Sequence, residues 1–303
     1  MGYHKAVKLL IILSIVTFFY GCNNSSKEVD SDSLLFAKNN LVAWCIVPYD
    51  SAKRTPEERA KMLNKLGIKS IAWDWREEHV SYLEEEIHQL QIHSIALTSV
   101  WFWVNGRDGE ILNSSTEEIL STLKRTNTKT TLWLSFDSGF FKDLTDDEKI
   151  TKGVETISYL QTRAKEINCK IALYNHGDWF GDPANQLKII ERLTDKDIGL
   201  VYNFHHAHTQ LEYYSDLMQK IKPYLWTVNI NGMRKGGPKI LDIGKGENEL
   251  QMMEVLNSIN FQGSIGILGH TENEDVEVVL KRNLEGMKSV LEKMGQKNAL
   301  KTY

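Results

Sequence analysis

Histidines have the most distinctive placement of any residue type in this sequence. Nine occur in 303 residues, and five stand at or just after the ends of short apolar runs: His176, His205, His206, His208 and His270. Imidazole changes protonation near neutral pH and also binds borderline divalent metals, so such a cluster can do acid–base or metal chemistry. We predict catalytic roles for His176, His205 and His270 and substrate-binding roles for His206 and His208. Either of the last two could take the place of His205, because strand register is uncertain by a residue.

Other polar and aromatic side chains end the same apolar runs. We predict that the following bind substrate: Asp74, Arg76, Asp137, Asn175, Trp179, Asn203, Asn229 and Asn231. Glu247 lies in a glycine-containing loop and joins the predicted catalytic group. For Asp74, Arg76 and Asp137 the alternative is a salt bridge at the rim of the fold.

The elements that must position these residues alternate regularly. Eight apolar runs of strand length cover residues 41–48, 69–75, 94–100, 130–137, 170–176, 199–205, 225–231 and 264–270. Amphipathic stretches of helix length lie between them, and the first opens with Thr55, Pro56 and two glutamates, a typical helix start. Eight such units over about 260 residues predict a closed (β/α)8 barrel, an α/β fold with one domain over residues 39–303. The chain has no Gly-x-Gly-x-x-Gly after the first run, which disfavours a Rossmann domain. Catalytic residues of such barrels lie at the C-terminal ends of the strands, where the polar residues are.

The N-terminal segment has a different character. A short basic region precedes an apolar stretch from Leu9 to Tyr20, and Gly21-Cys22 follows at once. This pattern resembles a bacterial lipoprotein signal over residues 1–21, with Cys22 as the lipidated residue and a polar tether over 22–38. We therefore expect an exported protein, lipid-anchored to a membrane and facing the periplasm or cell surface. The alternatives are an ordinary cleaved signal or an uncleaved anchor.

Composition narrows the range of partners. The formal net charge is −4, which gives no electrostatic reason to expect nucleic acid. Two cysteines remain after Cys22, and both Cys45 and Cys169 lie in or beside apolar runs, so we interpret them as buried free thiols. Four tryptophans near strand ends could stack on a sugar ring, although core packing is the alternative: Trp73, Trp101, Trp103 and Trp179.

Several segments resemble one known family. Residues 244–247 (GKGE), the eighth run with its approach (FQGSIGI, 261–267), and the segments YNHGDWFGDP (174–183), VYNFHHAH (201–208) and GILGHT (266–271) are similar to the xylose-isomerase-like, or sugar phosphate isomerase/epimerase, superfamily. They resemble a bacterial lipoprotein subgroup of it, and the resemblance covers about residues 41–291. It implies a TIM barrel and an isomerase, epimerase or lyase that abstracts a proton next to a carbonyl or hydroxyl group of a small carbohydrate.

The sequence departs from that family where the family binds metal. Isomerising members hold a divalent cation with Glu, Asp, His and Glu, and the matching positions here are Tyr174, Asn203, Asn229 and Leu268. None is a carboxylate, so a site for Mg2+ is not expected. Two residues further along each run, with the same inward parity, stand His176, His205, Asn231 and His270.

Three interpretations of the layer that contains His176, His205, Asn231 and His270 remain open. His176, His205 and His270 could bind a divalent metal, with Zn, Co or Ni preferred over Mg. The same imidazoles could act as metal-free acids and bases, or they could form a hydrogen-bonded polar plug. The last reading belongs to the alternative function, a non-catalytic, surface carbohydrate-binding lipoprotein on a barrel that has lost the family metal site.

The lipid anchor gives a direct prediction. Substituting Cys22 by alanine removes the thiol that would carry the lipid, so a Cys22→Ala protein expressed in a diderm bacterium should move from the membrane fraction to the soluble fraction. Cell fractionation with immunoblotting measures this, and Cys169→Ala is the matched control. Equal membrane binding by Cys22→Ala and the parent protein would rule out the anchor.

Overall fold

A computed structural model describes residues 34–106 and 110–303 of the chain, so the predicted signal, Cys22 and most of the tether lie outside the described residues. Eight parallel strands close into one barrel in chain order. They are β1 (Leu41–Trp44), β2 (Ser70–Trp73), β3 (Ala96–Val104), β4 (Thr131–Phe136), β5 (Lys170–Tyr174), β6 (Gly199–Asn203), β7 (Leu225–Ile230) and β8 (Ser264–Leu268). The predicted (β/α)8 barrel is therefore confirmed.

Helices surround the barrel. They are α1 (Pro56–Leu66), α2 (Glu77–Val80), α3 (Leu83–Ile92), α4 (Ser114–Arg125), α5 (Asp146–Glu166), α6 (Pro183–Arg192), α7 (Tyr214–Ile221), α8 (Glu249–Ser258), α9 (Val276–Lys293) and α10 (Lys297–Leu300). The predicted start of α1 is confirmed, because the Thr55 side chain accepts a hydrogen bond from the Glu58 amide and the Glu58 carboxylate accepts one from the Thr55 amide. Among the described residues, no helix is long and apolar enough to cross a membrane.

Two apolar layers hold the fold together. The larger lies between the barrel and its helices. The smaller fills the barrel interior with a cluster that includes Trp44, Trp133, Tyr174 and Leu268. The ring centroids of Trp44 and Trp133 are 4.9 Å apart and those of Trp133 and Tyr174 are 6.0 Å apart, so aromatic rings form the floor beneath the mouth of the barrel. Interior positions of such barrels are packed in this way rather than left as a pore.

The strands end earlier than the apolar runs predicted. β5, β6 and β8 stop two residues before His176, His205 and His270, which therefore belong to the first residues of the following loops. After β6 the chain turns into a short 3-10 helix, Phe204–His206. At the other end of the chain, Leu35, Phe36 and Ala37, which the sequence analysis placed in the tether, are buried against the barrel.

Candidate functional site

A pocket of about 120 Å3 opens at the C-terminal ends of the strands. It brings together four of the predicted histidines, His176, His205, His206 and His270, with Asp74 and Arg76. The remaining lining residues are Trp44, Cys45, Tyr49, Trp101, Tyr174 and Lys239. We call this cavity the mouth pocket. Its position is the one at which barrels of this kind carry their active sites.

Loop geometry positions the histidines. His176 follows β5, and the chain then reverses at Gly177, whose φ of +82° favours glycine. A Cβ atom on Gly181 would lie 2.1 Å from the Gly177 carbonyl oxygen, so this loop closes only with glycine there. His205 and His206 lie on the 3-10 turn after β6, where the Asn203 side chain accepts a hydrogen bond from the His205 amide.

The imidazoles contact one another rather than carboxylates. Ring centroids of His205 and His206 are 3.9 Å apart, and those of His176 and His206 are 4.7 Å apart. His270 stacks on Tyr49 at 3.6 Å and lies 6.1 Å from His205. Within the described chain, Nδ1 of His176, Nδ1 of His205 and Nε2 of His206 are buried without a hydrogen-bond partner. Buried nitrogens of this kind are costly unless a ligand or water completes them.

Burial keeps these imidazoles neutral. It lowers the pKa of His176 to about 4 and the pKa of His206 to about 2, and it holds the pKa of His205 well below its usual range. The charge of Lys239 lowers all three pKa values further, and the neighbouring imidazoles lower those of His205 and His206. Burial also lowers the pKa of His270, although the hydrogen bond to Glu272 opposes the shift. At neutral pH the cluster therefore offers uncharged donors and acceptors.

Asp74 is the carboxyl group of the mouth pocket. Its side chain is buried, Oδ1 accepts a hydrogen bond from the Val47 amide at 3.3 Å, and Oδ2 has no partner within the described chain. Burial raises the pKa of Asp74 to about 6, while the Val47 amide and Arg76 oppose that rise. A carboxyl group with this pKa exchanges a proton close to neutral pH, as a general acid or base must.

Two cations face these groups. The Arg76 guanidinium donates to the Tyr49 hydroxyl (Nη2 to Oη, 2.9 Å) and to the Trp75 carbonyl oxygen (2.7 Å), and it lies 5.8 Å from the ring centre of Trp101. Burial raises the pKa of Tyr49 to about 12, so its hydroxyl stays protonated. The second cation, Lys239, comes from the loop after β7. The pocket therefore combines fixed positive charge with neutral imidazoles.

Sequence reasoning missed four lining residues: Cys45, Tyr49, Lys239 and Trp44. Cys45 was correctly predicted to be a buried thiol, but its position at the pocket and its left-handed φ of 56° were not foreseen. Tyr49 and Lys239 lie in loops whose paths no local pattern specifies. The position of Trp44 on the first apolar run, with inward parity, was the one signal that could have found it.

Two of the predicted site residues, Glu247 and His208, do not line the mouth pocket. Glu247 is exposed and forms an ion pair with Arg234 (Oε1 to Nε, 3.0 Å). His208 turns away from the pocket, with Nδ1 3.2 Å from the Arg234 carbonyl oxygen and Nε2 3.0 Å from that of Lys239. His208 thus fastens the loop that carries Lys239 instead of lining the pocket.

The four predicted asparagines also lie outside the pocket lining and are fully buried. Asn175 accepts a hydrogen bond from the Asn203 amide (2.7 Å), and its own side-chain amide donates to the Asn203 carbonyl oxygen (3.2 Å). Asn203 donates to the Tyr174 hydroxyl, and Asn231 donates to the Gly232 carbonyl oxygen. Asn229 packs so close to β8 that a Cβ atom on Gly266 would lie 1.8 Å from its Oδ1. Asn175 and Asn203 therefore tie the end of β5 to the end of β6, whereas the side-chain amide of Asn229 has no hydrogen-bond partner within the described chain.

The remaining two predicted residues, Asp137 and Trp179, line a neighbouring pocket of about 190 Å3. His176 lines both cavities, so its imidazole stands at their boundary. The other residues of this second cavity are Phe136, Ser138, Phe141, Lys142, Lys149, Asp178 and Phe180. We call it the side pocket.

A larger cavity of about 540 Å3 lies between the segment after β1 and helices α1–α3. Its buried charges already satisfy one another, since the Arg59 guanidinium binds the Glu86 carboxylate at 2.9 Å. Arg54 likewise binds Asp50 at 2.8 Å. Since it contains none of the clustered imidazoles, we assign the functional site to the mouth pocket.

The metal site of the superfamily that the sequence resembles does not fit this chain. Of the four matching positions, Leu268 is apolar, and the Tyr174 hydroxyl is buried with its pKa raised well above the usual range. Asn203 and Asn229 carry no charge. Across residues 34–106 and 110–303, no three His, Cys, Asp or Glu side chains are arranged to hold a metal ion. A hard cation prefers carboxylate oxygens, which are missing from this layer.

Comparison with known proteins identifies the fold. No protein-family model matches the sequence, and no curated protein matches it. Among solved structures, a 3-keto-D-glucoside 4-epimerase from E. coli is similar with a TM-score of 0.62 and 13% identity, over 83% of this chain and 100% of the other. The IolI protein with a bound zinc atom gives a TM-score of 0.62 and 14% identity, over 84% and 98%. A D-psicose 3-epimerase in the presence of D-fructose gives 0.60 and 13%, over 86% and 99%.

These likenesses show the architecture, which is a TIM barrel. At 13–14% identity they show the fold alone. What this chain does must be argued from its mouth pocket.

The buried imidazoles make stability depend on pH. In the unfolded chain a histidine has a pKa near 6.5, and in the folded chain the four pKa values are lower, so the unfolded state binds more protons below pH 6.5. The free energy of unfolding should therefore fall as pH drops from about 6.5 towards 4. Asp74 has the opposite effect on the free energy of unfolding over the same pH range, because its pKa is raised in the folded chain. The four histidines together outweigh this single group.

Guanidinium unfolding at pH 7 and pH 5 measures the effect. A His206→Gln protein should lose less stability between the two pH values than the parent. His88→Gln is the control, since His88 is exposed on α3. If the parent and His206→Gln lose the same amount, the cluster does not govern the acid response.

Proposed function

We propose that the protein is an enzyme that removes a proton from the carbon next to a carbonyl group of a small carbohydrate. The observation that carries this proposal is Asp74, a buried carboxyl with pKa about 6 and an unpartnered oxygen, in a pocket that also holds two cations. Isomerisation, epimerisation and elimination next to a carbonyl group can each begin with this step. The fold's likeness to sugar epimerases supports the choice of a carbohydrate as the substrate.

The mechanism follows from the charges. The Asp74 carboxylate takes the proton from carbon, and the C–H electron pair forms the new C=C bond while the carbonyl π pair moves to oxygen. The guanidinium of Arg76 and the ammonium of Lys239 stabilise the enolate oxygen. Return of this proton from Asp74 to the former carbonyl carbon gives an isomer, whereas addition of a water proton to the opposite face, with loss of the Asp74 proton to water, gives an epimer. Departure of the hydroxyl group on the next carbon as water, with the proton taken from Asp74, gives the lyase product.

The neutral imidazoles handle the oxygen-bound protons in this proposal. A neutral imidazole donates from one nitrogen and accepts at the other, so His176, His205 or His206 can pass a proton between adjacent substrate oxygens. His270 is oriented by its stack on Tyr49 and its contact with Glu272 (3.4 Å), and it completes the wall of the pocket. Glu247 has no part in this scheme, because it lies outside the pocket.

Proton exchange with solvent tests the proposal without knowledge of the product. Sugars are incubated in D2O with the protein, and NMR follows loss of the C–H signal next to the carbonyl; the panel holds ketoses, aldoses and 3-keto-glucosides. Asp74→Asn should slow exchange by at least about 100-fold. The parent rate should fall below pH 6 as Asp74 becomes protonated. Arg76→Met should move that midpoint to higher pH, because the guanidinium lowers the pKa of Asp74.

Asp197→Asn is the matched control, an exposed aspartate paired with Lys170 just before β6. Its exchange rate and pH midpoint should equal those of the parent. If Asp74→Asn keeps the parent rate, Asp74 is not the base. If no sugar exchanges, the alternative function, carbohydrate binding without reaction, takes the place of the proposal.

A second candidate is a metal centre built from His176, His205 and His270. The observation in its favour is that Nδ1 of His176 and Nδ1 of His205 are buried without a hydrogen-bond partner within the described chain, whereas Nε2 of His270 contacts Glu272 at 3.4 Å. Such a ligand set prefers Zn2+, Co2+ or Ni2+ to Mg2+, and the rings would have to rotate to converge on one ion. When bound, the ion would supply a Lewis acid at the mouth pocket.

Elemental analysis and calorimetric titration of metal-stripped protein with ZnCl2 and MgCl2 test this candidate. Stoichiometric Zn2+ binding at pH 7 that weakens below about pH 6.5, and that both His176→Ala and His270→Ala abolish, is the expected result. His88→Gln serves as the control and should bind as the parent does. Absence of stoichiometric Zn2+ binding, or equal binding by all variants, would contradict a metal centre at these histidines.

We also propose that the enzyme acts outside the cytoplasm, anchored through Cys22. The support is the lipoprotein-like signal in the sequence, and fractionation of the Cys22→Ala protein is its test. An exported enzyme meets free sugars and glycosides rather than cytosolic sugar phosphates.

A further inference from the structure

The mouth pocket and the side pocket share one wall. His176 lines both, and it is ringed by aromatic side chains, with centroids of Trp101 and Trp103 6.2 and 5.9 Å from its own. The two cavities therefore adjoin at this imidazole. The proposed reaction uses only the mouth pocket, so the side pocket has no role in it so far.

The side pocket has the chemistry of a sugar site. Trp179 is half-buried, and its indole Nε1 has no hydrogen-bond partner within the described chain. Around it stand two carboxylates, Asp137 and Asp178, two ammonium groups, Lys142 and Lys149, and the hydroxyl of Ser138. A sugar ring presents apolar C–H faces that pack on an indole and hydroxyl groups that both donate and accept hydrogen bonds. Acidic and basic groups beside one aromatic side chain meet both needs.

The side pocket is also held in a fixed shape. Its base is a cluster of phenylalanines in which Phe136 lies 4.7 Å from Phe140 and 4.4 Å from Phe180. Trp179 packs on Phe141 at 5.2 Å, and the Asn185 side chain donates to the Trp179 carbonyl oxygen at 2.9 Å. A site whose walls are already ordered loses little freedom when it binds a ligand.

Size favours a ligand that uses both cavities. Volumes of about 120 and 190 Å3 each fall short of the roughly 300 Å3 at which ligand pockets typically begin, whereas the two together reach that value. A single small sugar would leave one of them unfilled. Two linked sugar rings would fill both.

We propose that the side pocket is a second sugar subsite and that the substrate is a disaccharide or other glycoside. One ring occupies the mouth pocket, the second packs on Trp179, and the linkage between them passes His176. Which ring reacts rests on the proposed function; binding of the second ring does not. Recognition of the second ring uses Asp137, Asp178 and the two lysines as hydroxyl partners.

Calorimetry tests the subsite independently of catalysis. Parent protein is titrated with cellobiose, maltose, lactose and sucrose and with their monosaccharides glucose, galactose and fructose. At least one disaccharide should bind more tightly than its component sugars. Trp179→Ala should reduce that disaccharide-to-monosaccharide affinity ratio about tenfold, because the stacking surface is lost.

Trp226→Ala is the matched control, since Trp226 is another half-buried tryptophan and lies at the opposite end of β7 from the mouth. It should keep the parent ratio, and melting temperatures should show that both variants are folded. The subsite is overturned if no disaccharide binds better than its parts, or if Trp179→Ala keeps the parent ratio. Neither result changes the outcome of the D2O exchange experiment with Asp74→Asn, so each proposal can be contradicted without the other.

Discussion

Desolvation at the mouth of the barrel governs the chemistry of this protein. Trp44, Trp133 and Tyr174 fill the interior below, so polar side chains with inward parity can reach a cavity only in the last layer. Aromatic rings, rather than water, lie directly beneath that layer. Burial there disfavours the charged form of a side chain, so it raises the pKa of an acid and lowers the pKa of a base. The same burial therefore raises the pKa of Asp74 and lowers the pKa values of the histidines.

These opposite pKa shifts determine which side chains of the pocket carry charge at neutral pH. The imidazoles stay uncharged, Asp74 titrates near pH 6, and the permanent positive charge resides on Arg76 and Lys239. At positions 174 and 268, where the resemblance implies metal-binding carboxylates, this chain has Tyr and Leu, and the positive charge of the pocket resides on Arg76 and Lys239.

The sequence was sufficient for the fold and for part of the site. Eight apolar runs with helices between them predict the barrel, and the position of His176, His205 and His270 just past the ends of β5, β6 and β8 brings them to one cavity. Parity fails once the chain leaves the sheet. Glu247 and Lys239 both lie in the loop after β7, where a bridge from Gly232 to Leu241 folds the chain back on itself. No sequence periodicity predicts that reversal. The sequence therefore led to the exposed Glu247, and Lys239, which lines the pocket, was missed.

That loop carries Lys239, one of the two cations of the site, and lies outside the packed strands of the barrel. It is tied at its base by the Gly232–Leu241 bridge and along its length by His208, whose ring reaches two of its carbonyl oxygens. None of these ties involves the aromatic floor. Exchange of a few loop residues can therefore add, remove or reverse a charge above the pocket while the strands below keep their packing. The charge that a ligand meets at this pocket therefore depends in part on Lys239, an exposed residue of the loop.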